Sequence, residues 1–247
     1  MSARLHIDPP PAGATLAAGA ELLLPANASR HVQVLRLQPG QQITLFDGRG
    51  GEWLAEILTM DRKTVSARVM AHLAVERELS TEVTLALGMP ANERMDGLVE
   101  KATELGLRCL QPLVCERSVL RLAGERAERK TAHWQAIAVS ACEQSGRNRV
   151  PKVALPMSLR DWLAAQAGSL SRRLLLSLAP NALPLAPSLT GATAITALSG
   201  PEGGLSAAEV ALAESGGFLP ISLGARVLRA DTAPLALLAC IAALETP

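Results

Sequence analysis

Tyrosine is absent from these 247 residues, and other aromatic side chains are few: Phe46, Phe218, Trp53, Trp134 and Trp162. Five scattered rings leave too few for a binding surface built on stacked aromatics. Charge of one sign is also lacking. The formal net charge is +1, which neither demands nor excludes a polyanionic partner. Cys109, Cys115, Cys142 and Cys240 show no C-x-x-C spacing and no histidine at metal-ligand intervals. This argues against zinc or a disulfide framework and fits reduced thiols in the cytoplasm. No apolar run approaches the ~20 residues that span a bilayer, and the prolines and glycine of PPPAG interrupt the N-terminus before a signal-peptide core can form. The expectation is a cytoplasmic protein with no membrane segment and no metal.

Hydrophobic residues make up 49% and charged residues 19%, so the chain is globular, with length for one large domain or two modest ones. Charge is uneven locally. From Glu116 to Lys152 there are eight Lys/Arg against four Asp/Glu. Such a segment can neutralise phosphates, or it can form a solvated helix face.

Residues 1–75 read as mostly β. ELLL (21–24), QITLF (42–46), EWLAEIL (52–58) and TVSARVMAHL (64–73) are separated by the turn signals QPGQ, DGRGG and MDRK. One helix interrupts them, with Asn27 able to cap it and Val34, Leu35 and Leu37 on its apolar side. The result resembles a small barrel. After VERELS (75–80) the rhythm changes to near-continuous apolar strands (VTLALG, LRCLQPLVC, RLLLSLA, ATAITALSG, FLPISLG) alternating with helices. That pattern implies an α/β domain over 76–247 with a parallel sheet covered on both faces. The proline-rich LAPNALPLAP (178–187) reads as a surface loop.

Two strand–loop–helix junctions carry the chemistry. In LSGPEGGLSAAEV (198–210), Ser206 and Glu209 have capping-box spacing, and Gly200, Gly203 and Gly204 allow close backbone approach. A loop of this kind at the end of a parallel strand is where open α/β sheets bind ligands, although a tight structural turn would look similar. It matches neither the P-loop nor the dinucleotide fingerprint. In LGARVLRADTAPLALLACIAAL (223–244), Arg226, Arg229 and Asp231 immediately precede a helix that is apolar nearly all round. That helix must be buried within the fold or against another subunit. Two arginines beside it need an anion, carbonyls or a charged substrate, while Asp231 can act simply as a charge at the helix N-terminus.

GPEGGLS with LGARVLRADTA resembles the paired signature of the bacterial small-subunit (16S) ribosomal RNA uridine-N3 methyltransferases, members of the knotted SPOUT class. HVQVLRLQPGQQITLFDGRG resembles that family's PUA-like RNA-binding domain, and EKATELGLRCLQPLVCERSV and EQSGRNRVPKV its middle motifs. Leu205 stands where phenylalanine is common, Asp231 where glutamate is usual, and Ala91 and Asn92 where a lysine is expected. The resemblance implies a PUA-like barrel (1–75), then a SPOUT domain (76–247) with a deep trefoil knot and cofactor site in about 172–247, and a homodimer. It also implies S-adenosyl-L-methionine held by three loops: one near Leu178; one of Leu198, Ser199, Gly200, Pro201, Glu202, Gly203 and Gly204; and one including Ile221, Leu223, Gly224, Arg226, Val227 and Leu228.

For such a reaction the proton on uracil N3 must leave and the imide charge must be stabilised. Arg229 is the first choice for the second task, and Glu202 is a candidate proton acceptor or, equally, a residue that orients its loop by hydrogen bonds. Contacts to 16S rRNA or the small subunit fall to Arg30, His31, Arg36, Arg117, Arg147 and Arg149, leaning on phosphates and shape. Two alternatives stand beside this: a sister SPOUT methyltransferase acting on transfer RNA or on ribose, and a non-catalytic RNA-binding assembly factor.

Overall fold

The computed structural model describes residues 2–9 and 16–245, so most of the PPPAG stretch lies outside the described residues. The chain divides into two compact units, Met1–Glu78 with Cys142–Val150, and Leu79–Ala141 with Pro151–Pro247.

The first unit is built from β1 (Ala3–His6), β2 (Glu21–Leu23), α1 (Ala26–Val34), β3 (Gln42–Phe46), β4 (Glu52–Met60) and β5 (Val65–Leu73). They form a five-stranded sheet in the order β1-β3-β4-β5-β2, antiparallel except for the β1–β3 pair. Register shifts between Leu54 and Ala55 and between Ile57 and Thr59 interrupt the β4–β5 ladder, and bulges of this kind bend a sheet. Leu5, Ile43, Leu45, Ala55, Ile57, Val65, Val69 and the α1 residue Val32 fill the core, as period-2 alternation requires. β1 had no counterpart among the expected strands. Asn27 does not cap α1: the helix starts earlier, with Pro25 at the cap position and no side-chain capping bond.

The first stretch of the first unit ends at Glu78, three residues beyond the position expected near 75, and Cys142–Val150 joins that unit. Polar side chains account for this. Asn148 Nδ2 donates to Glu52 Oε2 at 3.0 Å and to the Val75 carbonyl at 2.7 Å, Arg4 donates to Asn148 Oδ1 at 2.6 Å, and Arg147 pairs with Glu78.

The second unit contains β6 (Glu82–Gly88), α2 (Asn92–Glu104), β7 (Cys109–Val114), α3 (Gly124–Ser145, its last residues belonging to the first unit), β8 (Lys152–Val153), β9 (Met157–Ser158), α4 (Leu159–Ala165) and β10 (Arg172–Leu176). It continues through β11 (Leu183–Pro184), α5 (Leu185–Leu189), β12 (Ala194–Ser199), α6 (Ala207–Ser215), β13 (Leu219–Ser222) and α7 (Thr232–Glu245). Its sheet runs β11-β13-β10-β12-β6-β7-β8, with β9 also paired to β7, and every pairing is parallel. This is the sheet that continuous apolar strands demand. LAPNALPLAP is not merely a loop: it contributes the edge strand β11 and opens α5.

One helix start follows its sequence signal, and a second is capped by a serine that the sequence reading did not single out. Ser206 caps α6 in a complete capping box with Glu209, and Ser158 caps α4 by accepting from Asp161 N. Helix α7 buries Pro234, Leu237, Leu238 and Ile241, but Ala239, Cys240, Ala243 and Leu244 are exposed. Its all-round apolarity is therefore only half used by the fold of this unit. No helix among the described residues is long and apolar enough to cross a membrane.

Candidate active site

Strands β10, β12 and β13 are neighbours, so the segments leaving their carboxyl ends converge. Between those segments lies a cavity of about 550 Å³, within the range of roughly 300–1,000 Å³ for small-molecule sites. From the first segment come Leu176, Ser177 and Leu178; from the second Ser199, Gly200, Pro201, Glu202, Gly204 and Leu205; from the third Leu223, Gly224, Arg226, Val227, Leu228 and Arg229. Ile221 adds the end of β13.

Most residues expected to hold a cofactor thus meet around one space. Leu198 does not, because its side chain is buried within β12. Gly203 does not line the cavity either; it faces Arg117, whose Nη1 donates to the Gly203 carbonyl at 3.0 Å. Sequence reasoning passed over Leu175, Leu176, Ser177, Val210, Ala230, Ala233 and Arg94, which also line the cavity. The end of the apolar run RLLLSLA carries the first three. Arg94 lies in the first turn of α2, directly after the strand–helix junction, and no motif of its own marks it.

The GPEGG loop and the start of α6 are tied to neighbouring segments. Gly88, at the end of β6, passes so close that a Cβ there would overlap Pro201, and Gly204 adopts a φ of +68° that L side chains rarely take. Glu202 Oε1 accepts from the Ala91 backbone N–H at 3.0 Å and stands 3.8 Å from Arg94 Nη1. Glu209 accepts from both Ser206 N and Glu116 N at 2.8 Å, joining the start of α6 to the segment after β7. Nearby, burial pushes the Cys115 thiol up to about 12, with the Glu209 carboxylate adding to the effect, so it is a packing group and not a nucleophile.

Arg226 and Arg229 are exposed and line the cavity. Their guanidiniums carry no hydrogen bond or ion pair to a side chain among the described residues. Asp231 directly precedes α7, and its Oδ1 is buried without a hydrogen-bond partner.

The residues expected to meet RNA are placed differently from one another. Arg30 and Arg36 are exposed on and after α1, Arg36 with a φ of +56°. His31 Nδ1 lies 3.5 Å from Glu143 Oε2. Arg149 is half-exposed beside Glu76. Arg147 corrects the expectation: its side chain is 3% exposed and paired with Glu78, which leaves no guanidinium edge for a phosphate. Among the described residues no group of three or more His, Cys, Asp or Glu side chains could hold a metal ion.

Two family models match the chain: an RNA methyltransferase domain over residues 77–242 and an RNA methyltransferase PUA domain over residues 24–70. Ribosomal RNA small subunit methyltransferase E of Synechocystis is 37% identical over 86% of this chain and 69% of its own length. The Bacillus subtilis protein of the same name is 33% identical over 85% and 84%. Among solved structures, the Neisseria gonorrhoeae ribosomal RNA small subunit methyltransferase E bound to S-adenosyl methionine is 36% identical, with a TM-score of 0.91 over 99% of this chain and 98% of that one. A putative methyltransferase of Legionella pneumophila, solved with the same cofactor, is 32% identical with a TM-score of 0.90 over the same shares. The fold is thus an RNA methyltransferase PUA domain followed by an α/β methyltransferase domain, and the chain belongs to the ribosomal RNA small subunit methyltransferase E family.

Proposed function

We propose that this protein binds S-adenosyl-L-methionine in the three-loop cavity and methylates N3 of a specific uridine in 16S rRNA of the small ribosomal subunit, in the cytoplasm. The observation that carries this reading is Arg229, an arginine without a side-chain partner on the wall of a glycine-bordered cavity between three parallel strand ends. The cavity suits the cofactor: Leu176, Leu178, Leu205 and Ile221 offer apolar walls, while Ser177, Ser199 and the loop backbones offer hydrogen bonds.

When bound, the cofactor supplies an electrophilic methyl group on a sulfonium. The protein's residues do the rest. The N3 proton passes to solvent water, charge spreads to O2 and O4 of the base, and the Arg229 guanidinium stabilises it. Glu202, held by the Ala91 N–H, keeps the loop in place, and packed loops orient the base relative to the methyl group. In the first unit Arg30, His31, Arg36 and Arg149 are the residues that meet RNA, and in the second unit Arg117. The exposed apolar side of α7 supports a homodimer, and insertion of the last strand, β13, between β11 and β10 supports the trefoil knot.

Single-turnover methylation by Arg229→Ala tests the mechanism. The expected result is roughly 100-fold slower transfer, as for loss of one charge-stabilising donor, with cofactor and RNA affinities retained. Unchanged turnover would contradict it.

A further inference from the structure

The cavity lining carries three guanidiniums, Arg94, Arg226 and Arg229, against one carboxylate, Glu202. The cofactor cannot balance that surplus. Its sulfonium and ammonium outweigh its single carboxylate, so it adds positive charge. The missing anion belongs to the other substrate. Arg94 is the arginine placed to take it from a fixed position. It stands in the first turn of α2, where its backbone N–H bonds to the Ala91 carbonyl at 2.9 Å, and its side chain is 38% exposed. Among the described residues its guanidinium meets only Glu202, at 3.8 Å, and makes no hydrogen bond.

We infer that Arg94 is a phosphate-binding residue that grips the RNA backbone beside the target nucleotide at the cavity mouth. This rests on the cavity being an RNA methyltransferase site. The Glu202–Arg94 pair is loose and solvent-reached, and such pairs stabilise little, so Arg94 can turn to a phosphate at small cost. Glu202 is not stranded when it does, because the Ala91 N–H and the positive end of α2 still hold the carboxylate. A guanidinium offers a phosphodiester two parallel hydrogen bonds. Arg94 would thus supply a backbone contact that positions the strand without reading its sequence.

The test uses the full-length protein, a transcript of small-subunit ribosomal RNA, and S-adenosyl-L-methionine. RNA affinity is measured across a salt series and cofactor affinity by calorimetry, for wild type, Arg94→Ala and Arg94→Lys. The inference predicts that Arg94→Ala binds RNA roughly 3–10-fold more weakly, with the slope of log K against log salt reduced by about one. Cofactor affinity should not fall, thermal midpoint should stay at the wild-type value, and Arg94→Lys should restore the slope. An unchanged slope in Arg94→Ala, or a loss confined to cofactor affinity, would overturn it. A wild-type protein that methylates the transcript while Arg94→Ala keeps the full salt slope contradicts this inference alone. A wild-type protein that neither binds nor methylates ribosomal RNA, supplied as this transcript or in assembled subunits, contradicts the methyltransferase reading as well.

Discussion

The Arg117 guanidinium donates to the Gly203 carbonyl at 3.0 Å, pinning the outer side of the GPEGG loop to the segment after β7. That places a basic residue of the middle segment one loop away from the cavity. An exposed hydrogen bond of this kind contributes about 0.5–1.5 kcal/mol. Arg117→Ala should therefore weaken S-adenosyl-L-methionine binding by roughly 3–10-fold, although Arg117 does not line the cavity. Calorimetry on the variant checks this, and an unaltered Kd would show that the loop holds its shape without the contact.

Glu202 allows two roles to be separated with one substitution. As a loop anchor it needs only an oxygen that accepts from Ala91 N, which glutamine retains; as a proton acceptor it needs the carboxylate. The geometry predicts that Glu202→Gln keeps methylation within about threefold, while Glu202→Ala loses at least tenfold through a displaced loop. Equal, large losses in both would make Glu202 the base.

Glu52 should contribute to acid stability. Burial alone would raise its carboxyl, but hydrogen bonds from Arg4, Arg77 and Asn148 outweigh burial and hold it below its ordinary 4.5. A depressed folded-state pKa gives stability that is present above the unfolded value and is lost as pH falls through the folded one. Glu52→Gln should cost the first unit about 3 kcal/mol near neutrality, since it removes the counter-charge of the buried Arg4 guanidinium. It should also flatten the decline of Tm below about pH 4.5. Parallel Tm–pH profiles for variant and wild type would contradict this.

Helix α7 offers a test of assembly. Leu244 is 63% exposed, with Cys240 and Ala243 beside it on the same unburied side. If a second copy covers that side, Leu244→Asp should shift the protein from dimer to monomer in sedimentation. Cys240 should then react with maleimide faster than in wild type. A wild-type monomer would remove the dimer from the account.

The parallel sheet and the two loop–helix junctions were legible because their signals are local. Unbroken apolar runs marked the strands, and Ser206 with Glu209 marked a helix start that the structure realises as a capping box. What was illegible depends on contacts distant in sequence. Nothing near Asn148 indicates that it would bond to Glu52 and carry Cys142–Val150 into the first unit, or that Arg147 would be buried against Glu78. Asn27 was a reasonable cap by residue type, but Pro25 fixed the helix start earlier. Arg94 joined the site only through sheet order, which brings the end of β6 beside β12 and the start of α2 beside Glu202.

The most direct test is to map the product. Purified protein, S-adenosyl-L-methionine and small-subunit ribosomal RNA are incubated, supplied both as free transcript and as assembled subunits, and the RNA is digested and analysed by mass spectrometry. The account predicts 3-methyluridine at a single position, strongly reduced with Arg229→Ala. Methylation on a ribose, on another base or on transfer RNA alone would contradict it, as would no methylation of either form of the RNA by a protein shown to be folded.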